Sequence, residues 1–207
     1  MTPSTHNAPG SKTPEPQLTR LVEIARDGNR AAFDQLIDRY QGDIYRMIFY
    51  RIRRQMDAED LTQDVFIRAY RSIAQLREPG RFRSWLYTIA VNRVNDYLRK
   101  KKVRSIFKSS DEGHEVQPES EEHRDKPEAL EQVLKEDFWR QVGRIAKKLS
   151  KMEREVFLLR FMDDLNIVEI AQILKKSEST VKTHLYRALA KFKKEKGLRQ
   201  FLQEDLK

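Results

Sequence analysis

Apolar residues recur every three or four positions through most of the chain, the period of helices rather than the alternation of strands. No proline interrupts Leu18 to Glu78. The pattern there predicts a helix over Leu18 to Asp27 and a second over Arg30 to Arg53. The stripe of the second begins at Ala32, Phe33, Leu36, Ile37 and Tyr40 and continues at Ile44, Tyr45, Ile48 and Ile52. A third helix is expected from an Asp57 N-cap to Ser72, with Leu61, Val65, Phe66 (or Ala69) and Ile73 turned inward. Gln75 to Arg81 reads as a loop set by Pro79-Gly80. A fourth helix follows from Phe82 to about Lys102. Its apolar side is Leu86, Ile89, Ala90, Val94, Tyr97 and Leu98.

The pattern is sharpest between Leu149 and Lys194. Ser150 with Glu153, and Asn166 with Glu169, have the spacing of capping boxes and open two short helices. Met152, Val156 and Leu159 line the first, and Ile170, Ala171 and Leu174 the second. Lys175 and Lys176 make a turn, and Ser177 caps a helix that buries Val181, Leu185 and Leu189. Glu178, Ser179, Lys182, Thr183, Tyr186 and Arg187 then face outward. Hydroxyls and long cations near a helix N-terminus suit a helix laid in the DNA major groove.

Charge divides the chain. Formal net charge is +9. Residues 17–104 hold 19 Lys/Arg against 11 Asp/Glu, residues 111–137 hold 3 against 11, and residues 138–207 hold 17 against 9. Two basic blocks flanking an acidic spacer fit two nucleic-acid-facing modules better than one evenly solubilised surface. The expected architecture is all-α: a disordered tail over 1–16, a helical domain over 17–104, a flexible acidic linker over 105–127, and a helix-turn-helix domain over 128–207. The chain has no cysteine, which excludes disulfides, thiolate nucleophiles and Cys-based zinc sites. No apolar run approaches bilayer length, so neither a signal core nor membrane insertion is expected, and a cytoplasmic location is.

Two helices carry candidate chemistry. Asp57, Asp60 and Asp64, at i, i+3 and i+7, stack three carboxylates on one face. They could hold Mg2+ for phosphodiester chemistry. No histidine or further acid cluster completes such a site, and neighbouring Gln63 and Arg68 suit a protein-docking face better; a plain solvated face is the third possibility. On the helix from Phe82, Ser84, Thr88, Asn92, Asn95 and Arg99 form the polar stripe, with Trp85 and Tyr87 at its margins and RKKKVR at its end. Amides for base edges, aromatics for stacking and cations for phosphates are what reading an unstacked strand requires. At least one of Trp85 and Tyr87 is expected to be core instead. The four histidines are scattered, and there is no Gly-rich phosphate loop and no G-x-S-x-G. Neither a catalytic residue, a metal nor a cofactor is expected.

In order and spacing, DAEDLTQDVFIRAY, FRSWLYTIAVNRVNDYLRKKK, the acidic linker and LSKMEREVFLLRF…NIVEIAQIL…STVKTHLYRAL resemble the extracytoplasmic-function sigma factors of bacterial RNA polymerase, which keep sigma regions 2 and 4. The resemblance covers roughly 18–104 and 130–195. It implies a stress-response transcription initiation factor without enzymatic activity, whose partners are core RNA polymerase, promoter DNA (duplex at −35, melted at −10) and an anti-sigma factor. Asp57, Glu59, Asp60, Gln63, Asp64 and Phe66 would lie on the helix that docks the polymerase clamp. Gln75 to Arg81 would pocket a base flipped from the −10 element. Arg81, Arg83, Trp85, Tyr87, Asn92, Asn95, Asp96 and Arg99 would serve −10 binding. Ser177, Ser179, Thr180, Lys182, Thr183, His184, Tyr186 and Arg187 would serve −35 binding. Two positions depart from the pattern: Lys175 stands where the turn often carries glycine, and His184 where arginine is frequent. The rival readings are a stand-alone helix-turn-helix regulator and a Mg-dependent nuclease.

Overall fold

A computed structural model describes residues 16–108 and 148–193; within 105–108 only the helical backbone is described. The tail, most of the acidic linker and the helical pattern from 128 to 147 lie outside the described residues. Seven α-helices and two 3-10 turns make up the described residues: α1 (Pro16–Arg26), α2 (Arg30–Ile52), α3 (Gln55–Ser72), the 3-10 turns Ile73–Gln75 and Pro79–Arg81, α4 (Phe82–Lys108), α5 (Lys151–Phe161), α6 (Ile167–Leu174) and α7 (Glu178–Lys193). The chain divides into two compact units, 1–96 and 97–207.

In the first unit, α1 packs on α2 and on both 3-10 turns, and α2 packs on α3. Gly28, at φ +96°, makes the α1–α2 turn in a conformation that favours glycine. Asn29 then caps α2, its side chain accepting the Ala32 N–H at 2.9 Å. The buried side of α2 includes Ala32, Phe33, Leu36, Tyr40, Ile44, Ile48 and Ile52, with Met47 added to the expected stripe; Ile37 and Tyr45 are only half-buried. Arg53, in the left-handed region, returns its N–H to the Phe49 carbonyl at 2.8 Å and ends the helix.

That two-residue turn moves the start of α3 ahead of the expected cap. Arg54 precedes the helix and offers no side-chain cap, so Asp57 falls in the first turn. There its charge favours the helix dipole, and it pairs with Arg54 at 3.2 Å. The buried side, Ala58, Leu61, Thr62, Val65, Phe66 and Ala69, contains the expected Leu61 and Val65 with both Phe66 and Ala69, and adds Ala58 and a threonine whose hydroxyl donates to the Ala58 carbonyl at 2.7 Å. Helix α4 departs further. It runs to Lys108, beyond the expected end, and its buried arc is Phe82, Ser84, Leu86, Tyr87, Ala90, Val91 and Val94, while Leu98 is exposed and Tyr97 only half-buried. The wide arc lies in the N-terminal half, and Leu98 to Arg104 beyond it are exposed.

In the second unit both capping boxes form as the spacing predicts. Helices α5, α6 and α7 pack pairwise. Phe157 stacks on Phe192 with ring centroids 4.2 Å apart, inside a cluster that includes Leu149, Ala188 and Leu189. On α6, Ile173 rather than Leu174 completes the buried side. Lys175 sits in the left-handed region (φ 52°). The Lys176 N–H returns to the Ala171 carbonyl at 3.0 Å and the Lys175 N–H to that of Gln172 at 3.3 Å, a Schellman ending. The turn is thus made without glycine, at a cost on the order of 1 kcal/mol.

One ion pair ties α5 to α7. Glu153 Oε2 accepts the Ser150 N–H at 2.8 Å and the Lys191 ammonium at 2.6 Å, and Lys191 also reaches the Lys148 carbonyl at 3.4 Å. The Lys191 and Ser150 hydrogen bonds hold the buried Glu153 carboxyl below its ordinary value, against the opposing effect of burial. A depressed carboxyl contributes stability that is full above its unfolded value, near 4.5, and is lost as pH falls through the folded value. Lys191→Met is therefore expected to destabilise this unit by about 1–2 kcal/mol at pH 7. The penalty should shrink towards pH 3, as measured by urea unfolding across that range; a penalty independent of pH would show that the pair is not its source.

Candidate nucleic-acid and polymerase interface

Three surfaces carry the predicted site residues. On α3, Glu59, Asp60 and Gln63 are exposed side by side. Glu59 accepts from Gln55 at 2.9 Å, and its charge adds to burial in pushing the Tyr45 phenol up. Asp57 and Asp64 are less free: Asp57 is held by Arg54, and Asp64 by Arg68 (3.3 Å to each oxygen) and by Arg93 of α4. The three stacked carboxylates are thus partly neutralised by the protein's own arginines, and among the described residues no group of three or more His, Cys, Asp or Glu is placed to hold a metal ion. Phe66 points into the core rather than outward. It lines a cavity of about 720 Å3 between α2 and α3, together with Phe33, Ile37, Ile67 and Tyr70, and with Arg30, Asp34, Gln63 and Arg71 among its polar lining. The half-exposed Ile67 and Tyr70 were missing from the sequence reading, although two large apolar residues on the polar side of a helix are a legible sign of a contact surface.

The second surface runs from the loop onto α4. Ile73 and Leu76 are buried and anchor the loop, and Pro79–Arg81 form a turn of 3-10 helix leading directly into α4. Arg81 is exposed and paired with Glu78 at 2.7 Å. Trp85 is half-exposed, its ring 5.7 Å from buried Phe82, which in turn lies 5.5 Å from Tyr40. These rings back Trp85 from within and leave part of it to solvent. Tyr87 is different: only 1 % of it is exposed, and the Arg83 guanidinium lies 5.7 Å above its ring. Tyr87 is a core residue that cannot offer a face to a base, and its place among the −10 contacts is withdrawn. Asn92 and Arg99 are exposed, and Asn95 and Asp96 half-exposed, along one stripe of α4.

The third surface is the outer face of α7. Ser179, Lys182, Thr183, Tyr186 and Arg187 are all exposed, Tyr186 to 69 %. Val181, Ala188, Leu189 and Phe192 are buried on the other side, while Leu185 is half-buried. Ser177 Oγ accepts the Thr180 N–H at 3.2 Å and lies within hydrogen-bond distance of the Ser179 and Thr180 hydroxyls, so it caps α7 as expected. His184 is half-buried, and its Nδ1 is covered without a hydrogen-bond partner in the structure. It sits at the margin of this face rather than on it.

Comparison with known proteins gives these surfaces a context. Residues 36–104 match sigma-70 region 2, and residues 139–192 match sigma-70 region 4. The chain is 32% identical to the extracytoplasmic-function sigma factor BldN of Streptomyces coelicolor over 187 residues, covering 89% of this chain and 67% of BldN. It is also 32% identical to the extracytoplasmic-function sigma-E factor of Escherichia coli K12 over 172 residues, covering 81% and 88%. The chain belongs to the extracytoplasmic-function sigma factors. It is therefore a promoter-specific transcription initiation factor of RNA polymerase, which sets aside the stand-alone regulator. SigW of Bacillus subtilis is 29% identical over 182 residues, 87% of this sigma factor and 97% of SigW. The same fold occurs in CnrH, solved in complex with the cytosolic domain of CnrY (TM-score 0.62, 23% identity, 91% and 98% covered). It occurs again in RpoE of Bartonella quintana, solved with the anti-sigma factor NepR (TM-score 0.57, 18% identity, 78% and 94% covered). No helix among the described residues is long and apolar enough to cross a membrane.

Proposed function

We propose that this sigma factor divides its work among the three surfaces. Helix α3 docks core polymerase through Glu59, Asp60 and Gln63, with Asp57 beside them and the apolar groove at Ile67 and Tyr70 continuing the contact. The loop Gln75 to Arg81 and helix α4 handle the melted −10 strand. Trp85 stacks, Asn92 and Asn95 read base edges, Asp96 borders the same stripe, and Arg83, Arg99 and the lysines after it hold phosphates. The outer face of α7 reads the −35 duplex in the major groove. The protein acts in the cytoplasm, where its polymerase is, and an anti-sigma factor holds it inactive by covering one or more of these faces.

One observation carries the reading: a single chain exposes, in order, an acidic helix face, an amide-and-cation stripe beside a half-exposed tryptophan, and a cationic hydroxyl face on the last helix of a helix-turn-helix. A stand-alone DNA binder needs only the third. Co-purification with core polymerase followed by run-off transcription tests it. Transcription from selected promoters should require both core and this protein; duplex binding without core association would refute the division.

Within the −35 surface, Lys182 and Arg187 are separable by salt. Lys182 lies nearer the α7 N-terminus, 3.9 Å from Glu178, and Arg187 more than one turn further on. Arg187→Ala is expected to weaken holoenzyme binding to cognate and scrambled −35 duplexes alike and to flatten the log K versus log salt slope by about 1. Lys182→Ala should instead relax sequence preference with little change in slope. Unaltered binding in both variants across the salt series would remove α7 as the reading head.

A further inference from the structure

Asp64 lies on α3 among the acids of the docking surface, yet its carboxylate is turned towards the neighbouring helix. Arg68, one turn along, donates Nε–H to it at 3.3 Å, and the Arg93 guanidinium closes on its Oδ2 from α4. That contact is ionic and off the hydrogen-bond axis, since the Arg93 Nε–H has no aligned acceptor. Arg93 is mostly covered, and its guanidinium also lies 3.7 Å from Asp96. It follows Asn92 directly and precedes Asn95 and Asp96, so it stands about 100° around the helix from Asn92. The buried residues of this stretch, Ala90, Val91 and Val94, are small. Phe82, Leu86 and Tyr87 fix the first turns of α4 by packing, and the ion pair adds a contact at one azimuth where the buried side chains are smaller. Asp96 is also the last residue of the first unit.

We propose that Asp64 and Arg93 are a positioning pair that helps fix the rotation of α4 on α3, and with it the direction in which Asn92 and Asn95 face the −10 bases. The inference rests on the reading of α4 as the −10 helix. It makes Asp64 a link between the docking and reading helices rather than a contact to polymerase, and it makes Arg93, which touches no base, a determinant of −10 specificity.

The test uses full-length protein in excess over core polymerase, on a promoter selected from a random library by the wild-type holoenzyme. Transcription is compared on that promoter and on its single-base variants at −10 and at −35. Arg93→Met keeps the length of the side chain and removes its charge. It should cut −10 discrimination at least fivefold while core affinity and −35 discrimination stay within twofold of wild type. Arg93→Lys, which keeps the charge, should retain most of the −10 discrimination. Asp64→Asn should flatten the −10 profile as Arg93→Met does, and the double variant should be no worse than either single, because both remove one interaction. A merely structural pair would lower the yield on every template and leave the profile unchanged, and that result would overturn the proposal. So would multiplying effects in the double variant, or a −35 profile that flattens in step with the −10 profile. A wild-type holoenzyme without −10 discrimination would overturn the underlying reading, and the pair's role with it.

Discussion

Reversing Glu59 and Asp60 to lysine together is expected to abolish binding to core polymerase. The loss should be at least about 3 kcal/mol, roughly 100-fold, because like charges set against a complementary docking surface cost several kcal/mol. Both side chains are exposed, and neither lies on the buried side of α3. The fold has little reason to respond: substitutions on a free surface usually stay within about 0.5 kcal/mol. Circular dichroism and the unfolding midpoint should therefore match wild type, while pulldown of core fails. Asp64 is deliberately left in place, because reversing it would turn Arg68 and Arg93 against a third cation and confuse docking with helix placement. Wild-type core affinity in the Glu59→Lys/Asp60→Lys protein would mean that α3 does not dock through its acids.

Features written locally in the sequence were legible. Ser150 with Glu153 and Asn166 with Glu169 state their capping boxes within four residues, and both form. The outward face of α7 follows from helical period once Ser177 fixes its start. What the sequence misassigned depends on partners distant along the chain. Asp57 looks like a cap because aspartate is a good one, but the cap position is decided by where the preceding turn ends, and Arg53 in the left-handed region ends α2 early enough for α3 to begin at Gln55. Asp64 reads as one more docking acid until Arg93, a helix away, is seen beside it. Glu153 reads as a capping glutamate alone, and its bond to Lys191 spans 38 positions. Helix α4 misled in a different way. A single stripe was expected along its length, but its first half buries a broad arc while Leu98 to Arg104 are all exposed, so Leu98 lies outside the core; of the pair Trp85 and Tyr87, at least one of which was expected inside, it is Tyr87 that is buried. Periodicity reports one buried face; it does not report how many neighbours a segment has.

Tyr87 and Trp85, two residues apart, should consequently respond in opposite ways. Tyr87→Ala removes a fully buried ring and is expected to cost about 3–5 kcal/mol, the range for emptying an aromatic site in a core. For a small helical unit that is a large part of the total stability. Core binding, −10 opening and the thermal transition of the first unit should all fall together, and no activity should be lost selectively. Tyr87→Phe keeps the ring and should recover most of the loss. Trp85→Ala removes a half-exposed ring whose inner side already rests on Phe82, so the fold should lose less. Its cost should appear instead as about 1–3 kcal/mol in −10 strand binding, the worth of one base stacked on an aromatic ring, with core affinity intact. Fluorescence of the two tryptophans would confound the comparison, so unfolding is followed by circular dichroism and strand binding by a labelled oligonucleotide. A selective loss of −10 binding in Tyr87→Ala, with the thermal transition unchanged, would return Tyr87 to the promoter surface. Parallel loss of folding and binding in Trp85→Ala would move Trp85 into the core beside it.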